Sequence, residues 1–288
     1  MATGSTSATD FESSYISVYE KNFFGEGLYS YVEPYDCNFA LPTGSSLGTG
    51  IVVEDTIILC EGYTSSGVRE CYEFVEGQSL QARPPLDIPH GGHSVYLHRE
   101  HSQNAWWLAP NTQGGTANIL EAYFHSDTTS LETGAWEFEQ PLPEPLNVVC
   151  LIKFTPGSWS PGAPEIVFLS GVPTTSSSTG NKNWIKKIGP FGPAYDSDWT
   201  LLPESNEKRL GGSCGTLHQN STTVGTDNST VVVMAGGLSS STSEFLRLSD
   251  NLLGNAMTWN PDIATLPPDF GIWQMGPDVG EARSGNSC

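Results

Sequence analysis

Short apolar runs alternate with turn-forming clusters along the whole chain. Four runs stand out: Thr56-Ile57-Ile58-Leu59-Cys60, Ala105-Trp106-Trp107-Leu108, Glu165-Ile166-Val167-Phe168-Leu169 and Val231-Val232-Val233-Met234-Ala235. They are short and rich in β-branched or aromatic residues, which predicts strands buried on both faces. Glycine follows each, as Glu61-Gly62, Gly114-Gly115, Ser170-Gly171 and Gly236-Gly237. Only the last is a clean diglycine beside its strand, where positive φ and close backbone approach come without steric cost. A second set of runs comes next: Cys71-Tyr72-Glu73-Phe74, Leu120 to Phe124, Trp184-Ile185 and Glu244-Phe245-Leu246-Arg247-Leu248. The last of these alternates in the manner of a half-exposed strand.

Each unit closes on a corner of Leu or Ile followed by Pro: Leu41-Pro42, Ile88-Pro89, Leu142-Pro143, Leu202-Pro203 and Leu266-Pro267. The Pro-to-Pro intervals are 47, 54, 60 and 64 residues (89 − 42, 143 − 89, 203 − 143, 267 − 203). An aromatic precedes most corners, namely Phe39, Trp136, Trp199 and Trp259, whereas the second unit offers Leu80 to Leu86. Such a Trp packs between neighbouring sheets, and the Pro ends pairing before the chain crosses to the next unit. Polar inserts at 174–180, 189–198 and 219–230 account for the lengthening, since surface loops tolerate insertion at small cost.

Apolar strand, diglycine, aromatic strand, Trp strand and Leu-Pro corner, recurring near 50 residues, resemble the kelch repeat, one blade of a β-propeller. The resemblance covers roughly Tyr15 to Arg283. It implies an all-β, kelch-type propeller with about five visible units and five or six blades. The domain reading is a flexible segment over 1–13 and a single propeller over 14–288. Ser14 to Tyr19 and Leu28 to Val32 read as the first two strands of a further blade. Glu281 to Cys288 reads as the start of a crossing strand, comparable with Lys208 to Cys214, so the C-terminal unit looks truncated. Three closures remain open: the N-terminal strands complete the ring, the native protein continues, or a partner chain completes it.

Composition fits a turn-rich β protein. The chain has 288 residues, 31 Gly, 20 Pro, 37% hydrophobic residues and 10% aromatics, against only 15% charged residues. The net charge is −20, from 32 acidic and 12 basic residues. That disfavours nucleic acid and anionic membrane as partners, since both require clustered Lys and Arg. A spread acidic surface promotes solubility by self-repulsion, and it also suits a basic partner. No stretch of roughly 18 apolar residues occurs, which argues against membrane insertion. The start, Met1 to Ser7, lacks the basic end and apolar centre of a signal peptide. The protein is then made without one, or the chain begins after its removal.

Six cysteines occur, at 37, 60, 71, 150, 214 and 288. Cys60 ends one strand and Cys71 opens its antiparallel neighbour, which puts the pair within disulfide reach across a hairpin. The alternative is two buried thiols. Kelch-like sequences carry Cys at these two places, so the resemblance supports the bridge. Cys150, Cys214 and Cys288 share one repeat position and are expected to be small buried residues. Asn220-Ser221-Thr222 and Asn228-Ser229-Thr230 are N-glycosylation acceptors. These features together lean towards an extracellular or secretory-pathway protein, with a cytoplasmic one as alternative.

Catalytic signals are sparse. His90, His93, His98 and His101 cluster in sequence and offer a possible divalent-metal site, though the spacing fits no helix or strand template. The Cys–Tyr cross-link pattern of kelch-like copper oxidases and the arginine triad of sialidase propellers are absent. So are a Gly-x-Ser-x-Gly elbow, a phosphate loop and a dinucleotide fingerprint. The expected function is therefore a non-enzymatic module without cofactor that binds a protein partner through its loop face. Trp159, Tyr195 and Trp273 are the candidate exposed anchors. The alternatives are a self-associating structural subunit of an extracellular assembly, and a metal-dependent enzyme using His90 to His101.

Overall fold

A computed structural model describes residues 2–4, 15–17, 49–53, 56–60, 70–75, 81–88, 93–97, 104–109, 118–125, 135–155, 165–174, 178–189, 196–219, 229–237, 240–249 and 271–278. Among these residues every regular element is a β-strand. The chain falls into two compact units, Met1–Gly91 with Ser287 and Gly92–Asn286 with Cys288.

In the first unit, β1 (Ala2–Gly4) pairs antiparallel with β2 (Tyr15–Ser17). β3 (Thr49–Val53), β4 (Thr56–Cys60), β5 (Cys71–Val75) and β6 (Gln81–Arg83) form a four-stranded antiparallel meander. Ile58, Leu59, Cys60, Cys71 and Tyr72 are buried in it, and Leu86 is buried just after its last strand. Glu73 on β5 is ion-paired with Arg83 on β6.

The second unit contains three more meanders of the same order. They are β7 (His93–Leu97), β8 (Asn104–Ala109), β9 (Glu121–His125) and β10 (Ala135–Phe138); then β11 (Leu146–Phe154), β12 (Glu165–Pro173), β13 (Lys182–Ile188) and β14 (Thr200–Leu202); then β15 (Ser213–Gln219), β16 (Ser229–Ala235), β17 (Ser243–Ser249) and β18 (Trp273–Met275). The corners Leu142-Pro143 and Leu202-Pro203 lie where one sheet ends and the next begins, with both leucines buried.

The apolar runs are the second strands of their sheets; the crossing strands after each corner come first. In the second unit β11 packs against β7 on one side and β15 on the other, so the crossing strands neighbour one another from sheet to sheet. The reason is the antiparallel meander: a chain leaving one sheet's outer edge enters the next at its opposite edge.

The β11–β14 sheet lies between the other two. Val167 and Leu169 of β12 join Trp107, Ala122, Leu146 and Trp199 in one core cluster. Ile166 and Phe168, on the opposite face, join Val232, Met234, Leu246 and Trp273 in another. Alternation along a single strand therefore feeds two cores, as expected of a strand covered on both sides. β16 is less deeply covered: Val232 is buried but Val231 and Val233 are only half-buried.

β11 contains a bulge between Val148 and Cys150. Leu146, Val148 and Leu151 face one cluster, while Val149, Cys150 and Phe154 face the other. Without the extra residue, Leu151 would fall on the wrong face, since a one-residue slip inverts every side chain beyond it.

Two further expectations are corrected in the last sheet. Trp273, not Trp259, supplies the fourth-strand tryptophan, in register with Leu246 of β17. Leu266-Pro267 precedes that strand, so it is not the corner that ends the sheet.

Candidate functional site

The best-defined polar centre lies in the connector between β14 and β15. Arg209 of this connector and Glu244 of β17 both have fully buried side chains and form an ion pair at 3.0 Å. Arg209 Nε also donates to Glu244 Oε1 at 3.2 Å. Nη1 donates to the carbonyls of Gly236 (3.0 Å) and Thr242 (2.7 Å) and to Ser240 Oγ (2.9 Å). Nη2 donates to Thr242 Oγ1 at 2.7 Å. Glu244 accepts in turn from the backbone N–H groups of Asn206 (2.7 Å) and Glu207 (3.1 Å) and from Asn206 Nδ2 (3.0 Å).

The Gly236-Gly237 pair makes this possible. Both residues have positive φ, 69° and 126°. A Cβ on Gly237 would stand 3.3 Å from Arg209 Cα and from the Leu210 carbonyl oxygen. The diglycine thus turns a carbonyl towards the guanidinium and leaves room for the connector backbone.

The connector is anchored backwards as well. Asn181 Oδ1 accepts from Arg209 N at 2.9 Å, and Asn181 N donates to Ser205 Oγ at 2.8 Å. Asn183 Nδ2 donates to the Pro203 carbonyl at 2.7 Å. One ten-residue segment, 203–212, therefore ties the β11–β14 sheet to the β15–β18 sheet. Glu207 belongs to the same network. Hydrogen bonds from Ser240 and Thr242, with a lesser contribution from the Arg209 charge, hold its carboxyl below the ordinary value of 4.5 against the opposing effect of burial. Chemically this is a clasp: the donors of Arg209 and the acceptors of Glu244 are aimed at one another and at the connector backbone.

A second cationic centre joins the other pair of sheets. Lys186 of β13 is buried, with Nζ 5.6 Å from the Trp107 ring and 5.8 Å from the Trp199 ring. It donates to Gln140 Oε1 at 2.6 Å, and Gln140 Nε2 donates to Asp198 at 3.3 Å. Desolvated ammonium–indole contacts of this kind are favourable because the ring faces are electron-rich.

Cys60 and Cys71 are disulfide-bonded as expected, directly opposite each other on β4 and β5. Cys150 and Cys214 are bonded to each other with Cα atoms 5.7 Å apart, where the sequence suggested only small buried residues at one repeat position. They face each other because β11 and β15 are neighbours, which the unit-by-unit reading did not contain. Cys37 and Cys288 lie outside the described residues.

Trp273 is not an exposed anchor. It is 5% exposed, its ring centroid is 6.4 Å from that of Phe168, and its Nε1 donates to the Pro203 carbonyl at 3.0 Å. Its place in a fourth strand fixes this, because that position packs against the preceding sheet. Trp159, Tyr195, Asn220 and Asn228 lie outside the described residues, as do His90, His98 and His101. His93 opens β7, in register with Ala109. Among the described residues no three His, Cys, Asp or Glu side chains gather as a metal site.

Topology sorts the loops. Trp159 falls between β11 and β12, and Tyr195 between β13 and β14, so their connections leave the same end of the sheet. The β15–β16 connection, with Asn220 and Asn228, leaves the corresponding end of the next sheet. The insert at 174–180 joins β12 to β13 and belongs to the opposite end, beside the connector. The three inserts therefore do not share one face, because successive turns of a meander alternate between ends. No family model matches the chain, and no curated protein matches it.

Proposed function

We propose that the four-stranded sheets are blades of a kelch-type β-propeller, and that the protein is a non-enzymatic module that binds another protein through one loop end. The observation that carries the reading is the repeated organisation of the second unit. Three meanders stack face to face, their crossing strands side by side, and the loops at one end vary in length while the cores repeat. A rigid scaffold with variable loops is the usual arrangement of a recognition surface. The polar centres support the same view, since their charged groups are spent on joining sheets.

The contact end is the one that carries the β11–β12, β13–β14 and β15–β16 connections. Trp159 and Tyr195 are its anchors, being large side chains with little conformational entropy to lose. Two disulfides fit an oxidising environment, and we place the protein in the secretory pathway or outside the cell.

Affinity capture with the whole chain tests the proposal. Wild-type protein should recover a discrete partner that Trp159→Ser and Tyr195→Ser variants lose while keeping wild-type Tm. Recovery of no partner, or equal recovery by the variants, overturns it.

A further inference from the structure

The fourth strands of the second unit share a pattern that packing does not require. Each reads Trp-x-apolar: Trp136-Glu137-Phe138, Trp199-Thr200-Leu201 and Trp273-Gln274-Met275. Trp199 and Trp273 turn into the core clusters. The residue two places on does not: Phe138 is 60% exposed, Leu201 47% and Met275 48%, and Ile272 beside the last strand is also 48% exposed. A single exposed apolar side chain needs no explanation. The same position exposed in three successive sheets is a pattern.

The strands that carry these positions hold the same place in successive sheets, and hydrogen bonds at their ends link each to the next. β10, β14 and β18 are each the last strand of their sheet. Gln140, just beyond β10, donates to Asp198 just before β14. Pro203, just beyond β14, accepts from Trp273 at the start of β18, and Asn206 donates to the Trp273 carbonyl at 3.2 Å. Exposed carboxylates accompany these strands at Glu137 and Asp198, and at Glu204, which Lys182 already neutralises at 2.6 Å. On a chain of net charge −20, this edge would repel a second copy and attract a cation.

We propose that the outer edge formed by β10, β14 and β18 is a docking surface for a basic, extended protein segment that alternates Lys or Arg with apolar residues. The apolar side chains would cover Phe138, Leu201 and Met275, and the cations would meet the carboxylates between them. This deepens the interaction reading by adding a surface and a partner chemistry separate from the loop end.

The test measures binding of a fluorescent peptide of alternating Leu and Lys, with an alternating Leu and Glu peptide as control, by anisotropy on the full chain. Wild type should bind the Lys peptide, less tightly as salt rises, and bind the Glu peptide at least about tenfold more weakly. The triple variant Phe138→Ser, Leu201→Ser, Met275→Ser should lose about tenfold or more for the Lys peptide, at unchanged Tm because the three side chains are exposed. Glu137→Gln with Asp198→Asn should flatten the salt dependence. Triple-variant affinity within about twofold of wild type, or equal binding of both peptides, overturns the proposal. So does a wild-type dimer in sedimentation that the triple variant abolishes, because the edge would then belong to a second copy. Trp159→Ser and Tyr195→Ser should leave peptide binding intact, so failure of the loop-end reading and failure of this one are separable.

Discussion

Arg209 and Glu244 form an ion pair at 3.0 Å in which neither side chain reaches solvent, although one belongs to the connector and the other to the sheet it enters. Breaking such a pair from one side strands a buried charge at a cost of about 3–5 kcal/mol. Arg209→Met should therefore lower the Tm of the second unit by about 10 °C, given its size. Glu244→Gln should do nearly as much. The double variant Arg209→Met, Glu244→Leu should recover part of the loss, because neither member of the pair is left as an unpaired buried charge. Calorimetry of the three variants checks this; a double variant as unstable as the sum of the singles would refute it.

Gly237 belongs to the same argument. With φ at 126° and a prospective Cβ 3.3 Å from Arg209 Cα, Gly237→Ala must strain the backbone or displace the connector. A loss of about 1–3 kcal/mol is expected. Gly215, whose added Cβ meets nothing within 4 Å, is the control: Gly215→Ala should be near neutral or stabilising.

Much of this architecture is legible in the sequence. The apolar runs, the diglycine after Val231 to Ala235 and the corners at Leu142-Pro143 and Leu202-Pro203 all mark what they should, because burial on two faces and the need for positive φ leave local signatures. What fails is non-local. Leu266-Pro267 and Trp259 imitate a unit end within the long connection between β17 and β18, and so displaced Trp273 from its strand. A better signal was present: Trp199 and Arg209 are ten apart, as are Trp273 and Arg283 (209 − 199, 283 − 273), and Cys214 and Cys288 follow each Trp by fifteen (214 − 199, 288 − 273). The Cys150–Cys214 bond was hidden for another reason. It depends on crossing strands being neighbours, a property of the stack rather than of any one unit. The exposed edge was missed because Phe138, Leu201 and Met275 resemble core residues until their strand is known to be last.

Trp273 and the loop aromatics should separate by assay. Trp273→Ala removes an indole from the core against Phe168 and should cost about 3–5 kcal/mol. Any lost partner binding would then track the unfolded fraction. Trp159→Ser and Tyr195→Ser should change capture without changing Tm. Thermal melts beside capture yields decide the point.

The two disulfides should differ in worth. Cys150–Cys214 spans 64 residues and Cys60–Cys71 spans 11. Loop-closure entropy gives about 4 kcal/mol for the first and about 3 kcal/mol for the second. Because they lie in different compact units, Cys150→Ala with Cys214→Ala should lower one transition and Cys60→Ala with Cys71→Ala another. Scanning calorimetry with and without reductant resolves them. A single transition shifted equally by both pairs would contradict the assignment.

The last prediction concerns pH. The Glu207 carboxyl is held below its ordinary 4.5 by Ser240, Thr242 and Arg209. Its contribution is therefore present in full above that value and is lost as pH falls through the depressed folded-state pKa. Lys182 has the opposite sign: its hydrogen bond to Glu204 raises it above 10.5, a contribution present below that value and lost as pH climbs through the raised one. The Tm of wild type should fall on the acid side below about pH 4.5. Glu207→Gln should start lower at neutral pH and fall less steeply, since it has no charge to lose, whereas Lys182→Met should lower Tm by an even amount through the neutral and acid range and flatten the alkaline limb. Parallel acid limbs for wild type and Glu207→Gln would show that Glu207 is not coupled to folding in this way.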